Sequence, residues 1–549
     1  MNFIIYFSYI FISTVVLVSW GNFFLKKINI NNLDYMYIAP ILGFFIIGSI
    51  TLIIHFFFPI NYIIGNIILF FGILFFLLNK EFKNQIKLIS IISVISFITI
   101  LFDNINRPDA ALYHLPYIAY LNESKIILGI NNLESRYGHI SFLQYTSSAF
   151  KNVIFKDKAL FIPVVTIYSC SIVFFLKNFY LQNDNKIKII SLFFLLTILI
   201  DMNRFSEFGN DEIAHIVFFI FIFYILKFLI QNKTISATSF NIILLFSLML
   251  FMIKGTYIPI FFLIVYITLN QNLNLNLKTI LFNKLFFILF FIFFMWILKN
   301  FLTSGCLIFP LQITCFEKLL WSNNLATEAS LINEAWAKGY PETNRNLEYR
   351  EYIQNFNWLK IWLNSNLIFI LKKIGLVILP IFLIIFFSHN ETRRDIKLYY
   401  NIKITLFFLF GFIVFWFLNF PVYRFGSGFI YAFIVIAVAI YFNNFNEKKI
   451  KKISSIILVL CFSIVFLKNI KRINDNFSIQ YYDYPWLQIY SDKQNKKIEY
   501  EKIFYSNNKK FFYFFPIDNL CFYSPGPCSY IKKKKLNIHE KLGYLVISQ

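Results

Sequence analysis

Residues 2–20 read NFIIYFSYIFISTVVLVSW, a run without one Asp, Glu, Lys or Arg. About 17–25 predominantly apolar residues suffice to cross the hydrocarbon of a bilayer as a helix. No basic leader opens the run and no obvious small-residue cleavage site closes it. It is therefore read as a retained helix, with a cleaved signal peptide as the alternative. Comparable runs succeed a first helix at 3–22: 37–57, 61–78, 87–102, 159–176, 187–200, 213–230, 285–301, 374–388, 403–418, 428–442 and 454–468. Hydrophobic residues make up 58% of the 549 positions and charged residues only 14%, with mean hydropathy +0.64. A soluble domain carries roughly a quarter charged residues, so this chain lacks the polar groups to cover a water-facing surface. The expected fold is an all-α polytopic membrane protein of about 13–14 transmembrane helices.

The net charge of +23 points to membrane topology and not to nucleic acid, because most lysines sit in short clusters between apolar runs. Cytoplasmic loops hold such clusters. Lys26 and Lys27, then Lys80, Lys83 and Lys87, then Lys177, Lys186 and Lys188 occupy alternate loops, as do Arg393, Arg394 and Lys397, and Lys448, Lys449, Lys451 and Lys452. Placing them all in the cytoplasm puts segments 103–158 and 302–373 and the tail 469–549 on the other side. Lys468, Lys471 and Arg472 oppose an external tail. The parity also requires 240–270, interrupted by Lys254, Gly255 and Pro259, to be two short helices in a hairpin; a single kinked span breaks it. Three parts result: N-terminal helices 1–86, a core 87–468, and a C-terminal extracytoplasmic tail 469–549. The tail reads equally as a small mixed domain and as an irregular solvated segment.

Cysteine spacing is independent of charge. Cys170 and Cys461 stand alone in apolar runs, where a thiol acts as a small hydrophobe. Cys306 pairs locally with Cys315, and Cys521 with Cys528, both in segments placed outside, where disulfides persist. Metal binding is the rival, although neither segment has a second CxxC or nearby histidines at zinc spacing.

Ionisable groups near the hydrocarbon are costly, so clusters of them are functional candidates. Arg107-Pro-Asp-Ala-Ala-Leu-Tyr-His-Leu-Pro116 places Arg107, Asp109, Tyr113 and His114 where the chain leaves the membrane. The plain alternative is a polar helix cap. A second cluster spans Arg204, Glu207, Asp211, Glu212 and His215; capping by Asn210 or Asp211 explains one of these residues, not all. Two helices separate the clusters, so both face the same side. Arg136, Lys254 and Arg424 add basic groups at helix ends or loops, each alone readable as an interfacial anchor. Together they suit transfer from a phosphate-linked donor. A carboxylate accepts the proton of an attacking hydroxyl, and Arg and Lys stabilise the phosphate as it leaves.

These residues resemble those of the GT-C glycosyltransferase superfamily, which includes protein mannosyltransferases and the aminoarabinose transferases of lipid A. Asp109 in Asp-Ala-Ala-Leu-Tyr-His-Leu-Pro resembles the acidic motif of the first extracytoplasmic loop, and Asp211 in Gly-Asn-Asp-Glu-Ile-Ala the second. Leu302-Thr-Ser-Gly-Cys-Leu-Ile-Phe-Pro310 resembles the G-x-P-x-x-P segment of bacterial members, and Arg424 in Tyr-Arg-Phe-Gly a late loop arginine. The Cys521…Pro-Cys528 ending is similar to that of some bacterial members. The likeness covers roughly 87–470 and departs in two ways. Four helices precede the first acidic loop where members commonly have one, and Ala110 stands after Asp109 where many carry Glu.

The resemblance implies an inverting, bacterial inner-membrane glycosyltransferase with its site facing the periplasm. The donor is a polyprenyl-phosphate sugar, and the acceptor a lipid, glycan or protein. Asp109 and Asp211 are expected to be catalytic. Arg107, Tyr113, His114, Arg136, Arg204, Lys254 and Arg424 are expected to bind substrate. No metal site is required by the sequence, and a divalent cation stays open. Segments 103–158 and 302–373 are expected to form an amphipathic cover and acceptor entrance. The alternatives are an O-antigen polymerase or ligase, whose important charges concentrate in a late loop, and a transporter or flippase, which ought to show two similar halves. In 302–373 the charges Glu328, Glu334, Lys338, Glu342, Arg345 and Arg350 are mixed in sign and look solvated.

Overall fold

The computed structural model describes residues 2–29, 33–79, 82–105, 108–182, 184–202, 205, 207–231, 235–270, 275–316, 318–322, 325–340, 348–388, 399–441, 447–478, 484–490, 498–505, 508–517, 520–533 and 536–548. Lys80, Arg107, Arg204, Glu342, Arg345, Arg393, Arg394, Lys397 and the Lys83 side chain lie outside what is described.

Each apolar run becomes a helix, and the polar residues between runs set the ends. Asn61 accepts the N–H groups of Ile63 and Ile64, Asp184 those of Lys186 and Ile187, and Asn283 that of Leu285. These side chains satisfy donors that a helix start leaves free. Gly305 closes Lys284–Ser304 in the left-handed conformation, φ 78°. The opening helix Asn2–Lys27 packs along Ala39–Ile54. A Cβ on Gly21 would fall on the Ala39 carbonyl oxygen, and one on Gly43 on that of Leu17. Glycine lets the two backbones touch, as at close helix crossings in membranes.

Among the described residues, seven helices are long and apolar enough to cross a membrane: Asn2–Lys27, Ile162–Leu181, Asp211–Ile230, Lys284–Ser304, Leu359–Phe387, Ile402–Asn419 and Lys448–Phe477. Shorter apolar helices, including Tyr62–Leu77, Ala237–Ile253 and Tyr423–Ala439, stand beside them. Burial separates centre from rim. Asp211–Ile230 is 89% buried and Ile162–Leu181 83%, whereas Lys284–Ser304 is 33% buried and Lys448–Phe477 17%. On Lys284–Ser304 the exposed side is a stripe of Phe287, Phe290, Phe291 and Phe294, while Leu285, Leu289, Ile292 and Trp296 face inward. Water would penalise an apolar surface of this extent, and lipid tails do not. The chain is a helical membrane protein.

The stretch 240–270 is two helices, Ala237–Ile253 and Ile260–Leu269, joined through one tight turn at Gly255–Tyr257. Lys254 between them is extended (φ −150°, ψ 111°), so the first helix stops there.

Three features sharpen or correct the sequence reading. Segment 103–158 is not an amphipathic cover but a largely buried wedge, built from a wide turn at Ala110–His114 and helices Leu115–Glu123 and Phe142–Ser148. Its tyrosines are the reason: Tyr117, Tyr120, Tyr137 and Tyr145 are buried against one another, and Tyr117 and Tyr145 share a hydroxyl hydrogen bond of 3.0 Å. The last long helix, Glu447–Phe477, runs past 469 into the supposed tail. Arg472 on it donates to the carbonyls of Thr99 (2.6 Å) and Ile98 (3.0 Å) and lies 3.3 Å from Asp103, closing the end of Phe82–Ile100. That role accounts for a positive charge which topology alone made awkward.

The third concerns the tail, which of its two readings takes the form with β-structure. Tyr500–Tyr505 pairs antiparallel with Asn508–Pro516, and Asn537–Lys541 with Tyr544–Ser548. Aromatic, Lys-interleaved sequence suits half-buried strands, and Leu542-Gly543 (φ 51° and 73°) makes the second turn. The second hairpin docks on the wedge, where Leu128 donates to the Leu545 carbonyl and accepts from the Ile547 N–H, each at 2.9 Å.

Candidate functional site

The chain leaving Phe82–Ile100 turns back at Ala110–His114, a turn that closes with the Leu115 N–H on the Ala110 carbonyl. Asp109 sits at its head. Asp211 and Glu212 lie in the first turn of Asp211–Gln231, where helix polarity favours a carboxylate. Lys254 occupies the break after Ala237–Ile253, and Arg424 the first turn of Tyr423–Tyr441.

Four segments thus bring their charges into one row. Arg424 Nη1 donates to Asp109 Oδ2 at 2.8 Å, and its Nε lies 3.6 Å from Asp211 Oδ2. Lys254 Nζ pairs with Asp211 Oδ1. The row alternates in sign: Asp109, Arg424, Asp211, Lys254. Side-chain exposure falls along it from 24% and 21% at Asp109 and Arg424 to 13% and 10% at Asp211 and Lys254, so water reaches the pairs from one end. Aromatic faces flank the cations. Lys254 Nζ is 3.7 Å from the centre of the Phe425 ring, and the Arg424 guanidinium lies 5.2 Å from Phe425 and 5.5 Å from Trp336.

Below the row, His215 Nε2 donates to the Arg424 carbonyl at 2.8 Å, and Nδ1 meets the Tyr257 hydroxyl. Beside it, Asp201 accepts from Lys373 Nζ (3.1 Å) and from the Tyr423 hydroxyl (2.9 Å), fixing the residue next to Arg424.

His114 and Tyr113 lie between this row and Arg136. Burial pushes the His114 imidazole down to about 4, so it is neutral at neutral pH. Its Nδ1 then takes a hydrogen from the Gln144 amide at 3.2 Å, leaving the proton on Nε2. Burial, helped by Asp109, pushes the Tyr113 hydroxyl up. The Arg136 guanidinium stands 5.1 Å from the Tyr113 ring and 5.9 Å from Tyr530 of the tail. Its Nη1 is buried with no hydrogen-bond partner among the described residues.

The structure therefore groups Asp109, Asp211, Lys254 and Arg424, with Tyr113 and His114 adjoining, and sets Arg136 apart across Tyr113. Arg107 and Arg204 lie outside the described residues. Cys306 is bonded to Cys315 and Cys521 to Cys528. The segment around Cys306 leans on the wedge, with the Phe309 ring 5.0 Å from His139. Among the described residues, no group of three or more His, Cys, Asp or Glu is placed to hold a metal ion.

Trp336, Tyr257, Phe425 and Gln144 do not stand out in the sequence. Phe425 adjoins Arg424 and Tyr257 comes soon after Lys254, so proximity to a conspicuous charge was a signal. Trp336 gave none, since only folding brings the helix Leu325–Ala337 over Arg424.

No curated protein matches this chain, and no solved structure does. A family model described as a domain of unknown function (DUF8201) matches residues 1–431. The match takes in every member of the charged row and stops before the β-hairpins. The chain belongs to the DUF8201 family.

Proposed function

We propose that this protein is a membrane glycosyltransferase of the GT-C type, moving a sugar from a polyprenyl-phosphate donor to a hydroxyl of a lipid, glycan or protein acceptor. The observation that carries the reading is the convergence of Asp109, Asp211, Lys254 and Arg424 at helix ends, partly open to water. The site faces the extracytoplasmic side, in keeping with the lysine clusters of the opposite loops.

In this reading the donor phosphate takes Arg424 and Lys254 as its cationic partners, displacing the carboxylates that hold them. Drawing Arg424 away frees the Asp109 oxygen it occupied. Asp109 then accepts the proton of the acceptor hydroxyl as that oxygen attacks the anomeric carbon. The bond from that carbon to the phosphate oxygen breaks, and polyprenyl phosphate leaves with the electron pair, its charge held by Arg424 and Lys254. Attack opposite the leaving group inverts the anomeric centre. Asp211, released from Lys254, orients the acceptor, while His114 offers its Nε2–H to the sugar or phosphate.

Asp109→Asn tests the base. It keeps the shape and removes the proton acceptor, so transfer falls by about 10²-fold or more. The measurement compares cell-envelope glycans, or transfer from a polyprenyl-phosphate sugar in proteoliposomes, at equal expression. Unchanged transfer sinks the assignment.

A further inference from the structure

The turn that carries Asp109 cannot satisfy its own backbone. Pro116 has no N–H, so the carbonyl of Leu112 loses the donor that an α-helix would supply, and the proline ring crowds that carbonyl. The chain responds by widening: Leu115 N–H reaches back five residues to Ala110. Ala111 is then left without a donor from its own helix, since Leu115 is committed and Pro116 offers nothing. Buried carbonyls require a partner, and Ala111 is 1% exposed.

The partner comes from the far end of the sequence. The N–H of Phe522 donates to the Ala111 carbonyl at 2.9 Å. Phe522 lies in the loop closed by Cys521–Cys528, and it is held at φ 46°, a left-handed conformation that a phenylalanine adopts only under constraint. The other side of the loop is latched to the wedge. The Tyr137 hydroxyl donates to the Cys528 carbonyl at 2.7 Å and lies 3.2 Å from the Cys528 N–H. Beyond it, Tyr523 donates to Asn122 at 2.8 Å, and Tyr530 lies against Arg136.

We propose that the disulfide-closed loop 521–528 is a positioning element for the Asp109 turn, supplying through Phe522 the hydrogen bond that Pro116 denies it, with Tyr137 as the latch. The consequence for catalysis rests on the transferase reading of Asp109; the coupling between loop and turn does not. Tyr137 and the cysteines are positioning residues: none of them touches the charged row.

The test uses the full-length protein in lipid nanodiscs and two variants, Tyr137→Phe and the double variant Cys521→Ser/Cys528→Ser. Hydrogen–deuterium exchange is measured at residues 110–115 and at the Phe522 amide, with Ile162–Leu181 as internal reference. Both variants speed exchange at 110–115 and Phe522 about tenfold and leave the reference unchanged. In parallel, kcat for sugar transfer falls about tenfold while KM stays within twofold. Unchanged exchange at 110–115 in both variants overturns the proposal, whatever the activity. Faster exchange with undiminished kcat overturns the positioning role. Faster exchange in a protein whose wild type transfers no sugar supports the coupling and removes the transferase reading alone.

Discussion

Arg424 sends Nη1 to Asp109 and Nε toward Asp211, so one planar guanidinium spans two carboxylates delivered by different helix ends. A lysine, a compact point charge, cannot reproduce that fork. Asp109, Asp211, Lys254 and Arg424 were each visible in the sequence, because a charge beside a long apolar run is conspicuous. Their order along the row was not, because it depends on how helix ends meet. A histidine makes a prediction at this scale. His114 is pushed down to about 4 by burial. The unfolded chain titrates near 6.5, so between about pH 6.5 and 4 it binds more protons than the native protein. Stability from this source is full above pH 6.5 and is lost as pH falls toward 4. Thermal unfolding in detergent at stepped pH will show the decline, and His114→Gln will flatten it by roughly one proton's contribution. A wild-type midpoint that does not fall across that window contradicts a neutral, buried His114 imidazole.

The helices were legible as elements because their apolar runs are long and their ends are marked by Asn, Asp, Lys or Gly. The β-hairpins were not, because Phe511 to Phe515 is an apolar run too short and too Lys-flanked to declare its period. The wide turn at Ala110–His114 was equally hidden, although its cause, Pro116, stands in plain view. An extra residue in one turn rotates the preceding chain by about 100° relative to the helix beyond it. Pro116→Ala restores the missing N–H and lets 110–116 relax to a regular helix. Asp109 then swings away from Arg424. The expected outcome is a protein that folds at least as well as the wild type and, on the proposed transferase reading, transfers about 10²-fold less sugar, as a misplaced reacting group costs. Melting temperature and rate measured on one preparation decide it, and full activity in a folded Pro116→Ala protein would falsify the geometric role of the wide turn.

Across the whole molecule, burial grades from the central Asp211–Gln231 outward to rim helices whose outward Phe, Leu and Ile side chains are exposed. This gradient reflects composition: with 14% charged residues there is no second, polar shell to build. Phe290 lies on the exposed stripe of Lys284–Ser304. Arg at a helix centre in hydrocarbon costs about 2.5–3.5 kcal/mol, and Phe290→Arg, a third of the way along, will cost a large part of that and show as a marked loss of protein from the membrane fraction. Undiminished insertion would mean that this face meets water or protein.

On the proposed transferase reading, the alternating charges bear on turnover as well as on binding. A site whose cations are already matched by its own carboxylates holds an incoming phosphate only by exchange, at a lower net affinity than bare cations would give. Asp211, and Asp109 once it has passed its proton to water, remain next to the spent phosphate after the sugar has gone. As they return to Arg424 and Lys254, they compete the anionic product off its partners. In that reading, built-in counter-ions weaken capture of the donor and speed clearance of its remnant, a balance suited to handing a lipid carrier back quickly.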